Sequence, residues 1–239
     1  EVKGLLAASA ARELYVVSNL GLVTAQNLEQ FNIIGSNSAN LLIVRGTGGS
    51  YRGGASSDTL YADWGAASSP IAWINNPVQD QVVNGVTLAG FERLLITTGS
   101  GNDTISNAAN ITNVYIDTGA GDDTIDGGGG ADIIIAGAGN DVIHAGPGND
   151  LVMGGLGVDR VIYGELISAY TVTRNGGSVT VTGPDGTDTL TGIERIQFAN
   201  AVLTLLGNST IDLNIDGNSD LLWRNSNGTV ATWEMNGGQ

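Results

Sequence analysis

The sequence predicts an all-β fold in which short parallel strands stack rung upon rung into a coil, with β-rich segments capping it. Three observations predict this. First, between Thr118 and Ile162 one nine-residue phrase runs five times without a gap: TGAGDDTID (118–126), GGGGADIII (127–135), AGAGNDVIH (136–144), AGPGNDLVM (145–153) and GGLGVDRVI (154–162). Self-similarity at a fixed period is the signature of stacked repeats. Second, each eighth position holds a β-branched residue (Ile125, Ile134, Ile143, Val152, Val161), suited to one inward-facing strand position per repeat. Third, 41 % hydrophobic residues alongside 37 glycines in 239 make the chain too apolar for disorder and too glycine-rich for a helical protein.

Glycine recurs at the second and fourth positions of the phrase and aspartate at the sixth (Asp123, Asp132, Asp141, Asp150, Asp159). A six-residue turn that aims several carbonyls at one centre needs positive φ angles, which cost little only for glycine. Three residues remain for a strand. Alternate turns then fall on opposite edges of a flattened coil, with Asp123, Asp141 and Asp159 on one and Asp132 and Asp150 on the other. Same-edge carboxylates stand one strand spacing apart, about 4.8 Å. Two such charges repel by about 1 kcal/mol in water and by more when partly buried. A hard dication between neighbours reverses the sign. Calcium takes 6–8 oxygen ligands in loose geometry, whereas zinc wants His or Cys; the chain has one histidine and no cysteine. A glycine–aspartate linker would have no use for an inward Ile or Val at every ninth residue.

The phrase resembles the repeats-in-toxin (RTX) nonapeptide. That resemblance implies a parallel β-roll or β-helix of stacked calcium-binding rungs. It also implies a ligand set for each ion: carbonyls of the second and fourth positions of one turn with its Asp, and carbonyls of the first and third positions two turns later with that Asp. One site then uses Gly119, Gly121, Asp123, Ala136, Ala138 and Asp141. A second uses Gly128, Gly130, Asp132, Ala145, Pro147 and Asp150. A third uses Gly137, Gly139, Asp141, Gly154, Leu156 and Asp159, and a fourth uses Gly99, Gly101, Asp103, Thr118, Ala120 and Asp123. The family further implies export of an unfolded chain through a type I channel and folding in extracellular calcium.

Around the regular coil (118–162) the remaining segments read in order. Residues 1–32 form an N-terminal cap or linker in which LLAASAARELYVV could start as a short helix. Residues 33–117 read as worn rungs. GGASSDTLY (53–61) keeps Asp58, an aspartate that could hold metal or simply serve its turn, and TGSGNDTIS (98–106) is nearly complete. Between them lie two or three strands with turns at Asn75-Asn76-Pro77 and Asn84-Gly85. NAANITNVYID (107–117) carries two extra residues, which a bulge would absorb so that Asp103 and Asp123 keep one side. Residues 163–206 hold three strand signals, with a hairpin at Gly176-Gly177, and close the open end as a flank or cap. The outward residues Ile133, Ile135, Leu151 and Met153 are all apolar, so this face should be covered by 163–206 or by a partner chain. Finally, residues 207–239 carry Asp212, Asn214, Asp216, Asn218 and Asp220 at the spacing of an EF-hand-type loop and resemble a partial FG-GAP or VCBS repeat. A lone blade of that kind implies a chain continuing past Gln239.

Net charge is −15 with a pI of about 4.1, which argues against nucleic acid or anionic membrane as partner and for calcium. No stretch reaches the roughly 20 apolar residues of a membrane span. The chain starts at Glu1 without a charged-then-apolar leader and reads as a processed chain or a piece of a larger one. His144, the sole histidine, sits at an outward repeat position, and no Ser–His–Asp or Cys–His system has a home, so catalysis is not expected. The expected role is that of a calcium-folded structural or adhesive region of a secreted bacterial protein. The alternatives are an accessory module of an exoenzyme (protease, lipase or alginate epimerase) or a carbohydrate-active β-helix. Glycans or cell-surface components are the candidate further partners, and an aromatic groove near Tyr61, Trp64 and Trp73 would favour the sugar-binding alternatives.

Overall fold

The computed structural model describes residues 32–45 and 47–205, and strands at 15–17, 22–24, 221–225 and 230–233. The first strands are β1 (Tyr15–Val17), β2 (Leu22–Thr24), β3 (Asn32–Ile34), β4 (Leu41–Arg45), β5 (Ser50–Arg52) and β6 (Thr59–Asp63), which alternate between a five-stranded and a ten-stranded sheet. With β7 (Ala72–Ile74) the coil opens a nine-stranded sheet, and the antiparallel pair β8 (Gln81–Val83) and β9 (Val86–Ala89) ends the five-stranded one. Asn84 and Gly85 turn that hairpin with φ of 46° and 76°, the left-handed pair that suits the strand twist.

From β10 (Arg93–Thr97) onward the rungs alternate between the ten- and nine-stranded sheets: β11 (Thr104–Ser106), β12 (Tyr115–Asp117), β13 (Thr124–Asp126), β14 (Ile133–Ala138), β15 (Val142–His144), β16 (Leu151–Leu156) and β17 (Arg160–Ile162). The ladders between successive rungs are parallel. Ile125 faces Ile143 and Ile143 faces Val161 in one sheet, while Ile116 faces Ile134 and Ile134 faces Val152 in the other. Two nonapeptides make one turn of the coil, and their eighth positions are fully buried between the sheets. Each such side chain contributes roughly 1.5–3 kcal/mol of burial free energy. The two extra residues of 107–117 lie in the turn 107–114, and Ile105 still faces Ile125. Strands β14 and β16 are longer than the three-residue strand expected, because pairing continues into the turn through Gly137–Gly155 and Ala138–Leu156.

Beyond the coil, β18 (Thr171–Asn175), β19 (Ser178–Gly183) and β20 (Gly186–Thr191) extend the ten-stranded sheet. β21 (Arg195–Phe198), β22 (Ala201–Thr204), β23 (Leu221–Asn225) and β24 (Val230–Trp233) extend the nine-stranded one. Gly176 turns the expected hairpin at a φ of 62°. Tyr163 stacks on Phe198, Tyr170 packs tilted against both at 5.1 Å between centroids, and the three rings plug this end of the core.

Tyr15–Val17, the end of the stretch that could start as a short helix, is a strand paired in parallel with β3; the residues where the helix was expected lie outside the described ones. Residues 163–205 lengthen the two sheets edge-on from the open edges of β16 and β17 instead of lying across the apolar face, which leaves a partner chain as its expected cover. Ile133 and Leu151 are therefore 39 % and 38 % exposed, with Ile135 and Met153 half-buried. Trp64 and Trp73 are not at a groove: both are core residues, 6.4 Å apart between ring centroids, and only Tyr61 faces outward. No helix among the described residues is long and apolar enough to cross a membrane.

Candidate metal centre

The sixth-position aspartates are among the most buried polar groups of the molecule, at 0–3 % exposure for Asp58, Asp103, Asp123, Asp132, Asp141, Asp150 and Asp159. The stacking explains how they tolerate this. Each carboxylate turns its Oδ1 toward the rung below and accepts that rung's sixth-position backbone N–H. On the edge leading into the nine-stranded sheet, Ile71 N–H donates to Asp103 (2.7 Å), Asp103 to Asp123 (2.7 Å), Asp123 to Asp141 (2.8 Å) and Asp141 to Asp159 (3.0 Å). On the opposite edge, Asn40 donates to Asp58 (2.7 Å), Val114 to Asp132 (2.8 Å) and Asp132 to Asp150 (2.9 Å). The two aspartate series assigned to opposite edges from the spacing are on opposite edges.

Only half of each carboxylate is satisfied this way. The Oδ2 atoms of all seven aspartates are buried and accept no hydrogen bond from the protein. An ionised oxygen out of water with no partner costs several kcal/mol unless a cation or a proton meets it. Burial accordingly pushes the carboxyls of Asp123, Asp132 and Asp159 up to about 6 and that of Asp150 up to about 7, against the N–H bonds that lower them; Asp58 and Asp141 are raised for the same reason. Among the described residues no three carboxylate, histidine or cysteine groups converge on one point, so a cation here draws on backbone carbonyls and paired aspartates. That oxygen-only donor set suits calcium.

The backbone supplies these oxygens because the turns pack in direct contact. A Cβ on Gly137 would lie 1.8 Å from Gly119 O, one on Gly139 1.9 Å from Gly121 O, and one on Gly146 1.7 Å from Gly128 O. The same contact recurs above Gly99 and Gly101, whose carbonyls lie 2.3 Å from the Cβ positions of Gly119 and Gly121. Third-position carbonyls face down: Ala138, Pro147 and Leu156 accept the N–H of Gly121, Gly130 and Gly139 at 2.8–2.9 Å and keep a second lone pair. Ala120 donates its N–H to Gly99 O. At the first position, Thr118 O accepts Thr98 Oγ1 at 3.0 Å and Ala136 O accepts Thr118 Oγ1 at 2.9 Å. Asp132 Oδ2 and Ala145 O both lie within 2.7 Å of the point where a Gly127 Cβ would sit, close enough together to share one cation. Gly154 occupies the corresponding place beside Asp159 Oδ2. The loop residues Asp212, Asn214, Asp216, Asn218 and Asp220 lie outside the described residues.

One family comparison bears on the chemistry of these turns. Residues 112–134 and 126–161 match the family model of the RTX calcium-binding nonapeptide repeat. The match covers the regular coil, and no curated protein matches the chain. The RTX turns are calcium-binding motifs, and the orphaned Oδ2 atoms fit the ion they bind.

Sequence reasoning missed three acidic members of the ladders. Asp188 accepts the N–H of Asp150 at 3.0 Å and receives the Tyr163 hydroxyl on Oδ2 at 2.8 Å. Its phrase, GPDGTDTLT (183–191), has Gly and Asp at the fourth and sixth positions and Leu190 at the eighth, but the inserted segment 163–182 hides the period. Glu92 and Glu194 accept the N–H of Asp58 (2.8 Å) and Asp159 (2.9 Å) through Oε2. Their signal was a shared tetrapeptide, Gly-Phe-Glu-Arg at 90–93 and Gly-Ile-Glu-Arg at 192–195.

The raised carboxyls set a pH dependence. Folded, these aspartates hold protons to higher pH than the unfolded value near 3.9, so their contribution to the ion-free coil is full below about pH 4 and lost as pH rises through about 6–7. In chelator the chain should therefore hold more β structure at about pH 5 than at about pH 7.5, and melt higher wherever it melts at all. Saturating calcium should reverse the trend, because binding needs the ionised form. Thermal melts in the four conditions check this; an ion-free coil weaker at the lower pH would refute it.

Proposed function

We propose that this chain is the calcium-folded region of a large secreted bacterial RTX-type protein with a structural or adhesive extracellular role, and that it does no catalysis itself. The observation that carries the reading is the row of buried aspartate oxygens with no protein partner. Without calcium the ladders are rows of mutually repelling or protonated carboxylates; with it, binding free energy becomes folding free energy. Such a chain stays open where calcium is scarce and closes where it is millimolar, which suits export before folding. His144 is exposed on the outer face of the nine-stranded sheet, where its register partner is Asp126, and Trp64 and Trp73 are spent on the core, which supports a non-catalytic role. The spacing of Asp212 to Asp220 supports a further calcium loop of FG-GAP or VCBS type. The accessory-module reading shares all of this and differs only in what else the parent chain encodes.

The test is far-UV circular dichroism during a calcium titration from chelator, with magnesium as control. A cooperative gain of β signal with calcium alone is expected. A fully folded spectrum in chelator at neutral pH would sink the reading.

A further inference from the structure

The tetrapeptide shared by residues 90–93 and 192–195 recurs in one structural situation. Each copy follows an inserted antiparallel segment, β8–β9 in the first case and β18–β20 in the second. Each replaces a whole nonapeptide turn with a tight one whose glycine has positive φ, 70° at Gly90 and 61° at Gly192. Each lies on a buried sixth-position aspartate, Asp58 in the first case and Asp159, the last of its row, in the second. The contacts match bond for bond. The N–H groups of Glu92 and Arg93 donate to Asp58 O at 3.2 and 3.1 Å, and those of Glu194 and Arg195 donate to Asp159 O at 3.2 and 2.9 Å. In return each glutamate accepts the aspartate's own N–H.

The donor atoms also match those of an RTX site. In the regular coil, Asp132 Oδ2 (2.6 Å) and Ala145 O (2.7 Å) flank the point where a Gly127 Cβ would be. At Gly53 the same point is flanked by Asp58 Oδ2 (2.7 Å) and Gly90 O (1.9 Å), and at Gly154 by Asp159 Oδ2 (2.6 Å) and Gly192 O (2.1 Å). The carbonyl that opens the tight turn stands where the first-position carbonyl of an RTX turn stands. Asp58 and Asp159 are wholly buried, and their Oδ2 atoms have no protein partner. The glutamate places a second carboxylate beside each unpartnered Oδ2, and a cation between the two acids would meet both.

We propose that each Gly-x-Glu-Arg turn closes a calcium site, made of Asp58, Gly90 O and Glu92 in one case and Asp159, Gly192 O and Glu194 in the other. The longer glutamate side chain reaches the ion from a turn too short to carry a sixth-position aspartate. Asp58 and Glu92 lie outside the RTX-matched residues, so their ion is additional to those of the regular coil. The proposal rests on the calcium reading of the nonapeptide turns.

The experiment counts calcium ions bound by the full chain, by equilibrium dialysis, in wild type, Glu92→Gln and Glu92→Gln/Glu194→Gln. Glutamine keeps an oxygen for the N–H of Asp58 and removes the charge. The expected result is one ion fewer in the single variant and two fewer in the double, with an unchanged circular dichroism spectrum. An unchanged count and midpoint would mean that the glutamates serve only as hydrogen-bond acceptors and would overturn the proposal. A wild type that binds no calcium would overturn the broader reading instead. Should the variants fail to fold, wild type labelled at the glutamate carboxyl carbons decides: the Glu92 and Glu194 signals shift on saturation with calcium, or, if they stay put, the proposal is wrong.

Discussion

Gly137→Ala should break the regular coil. Gly137 has a φ of 110°, and a Cβ there would meet Gly119 O at 1.8 Å. The strained backbone and the forced separation of two turns together cost about 3 kcal/mol or more. The damage is not local, because the hydrogen bond from Ala138 N–H to Gly119 O and the pairing of Gly137 with Gly155 depend on that approach. Gly129→Ala is the matched control. It sits at a third position, its nearest new neighbour is Ile111 Cγ2 at 3.4 Å, and its cost should stay within about 0.5 kcal/mol. Urea melts of both variants in saturating calcium test the contrast; equal midpoints would show that the second-position glycines are not held by turn stacking.

Asp141→Asn should cost two calcium ions, and Asp132→Asn one. Asp141 has a carboxylate neighbour on either side of it along its edge, Asp123 and Asp159, and so is shared by two sites. Asp132 has Asp150 above it, but below it the sixth place is filled by Val114. Asparagine can still accept the N–H of the rung below, so the change removes charge and spares the backbone bond. Loss of one carboxylate from each of two sites should raise the calcium midpoint for folding roughly tenfold or more, about 1.4 kcal/mol in free energy. Ion counts and calcium-dependent folding curves read both effects. If the two variants lose the same number of ions, the sharing of aspartates along each edge is wrong.

Much of this was legible because the repeat is short, contiguous and doubly marked. An aspartate every ninth residue assigns each carboxylate to an edge, and a β-branched residue two places later assigns the inside of the coil, so Ile125, Ile143 and Val161 could be stacked from spacing alone. The tolerance of the turn 107–114 for two extra residues was legible for the same reason: Asp103 and Asp123 both keep their phrase. Asp188, Glu92 and Glu194 were not legible. They join the ladders at separations of 38, 34 and 35 residues from the residues they cap, because hairpins are inserted ahead of them. A local pattern carries no information on which distant strand closes the next rung.

The regular coil, its two aspartate edges and the oxygen ligands its turns offer a cation were thus determined by the sequence itself, since period, turn backbone and ligand type are all local properties of nine residues. Tertiary structure decided the rest. Burial of Trp64 and Trp73, exposure of Ile133 and Leu151, and the ends of the ladders all depend on where non-repeating segments attach. Those segments attach wherever an unpaired strand edge is left open, and only the assembled sheets reveal where that is.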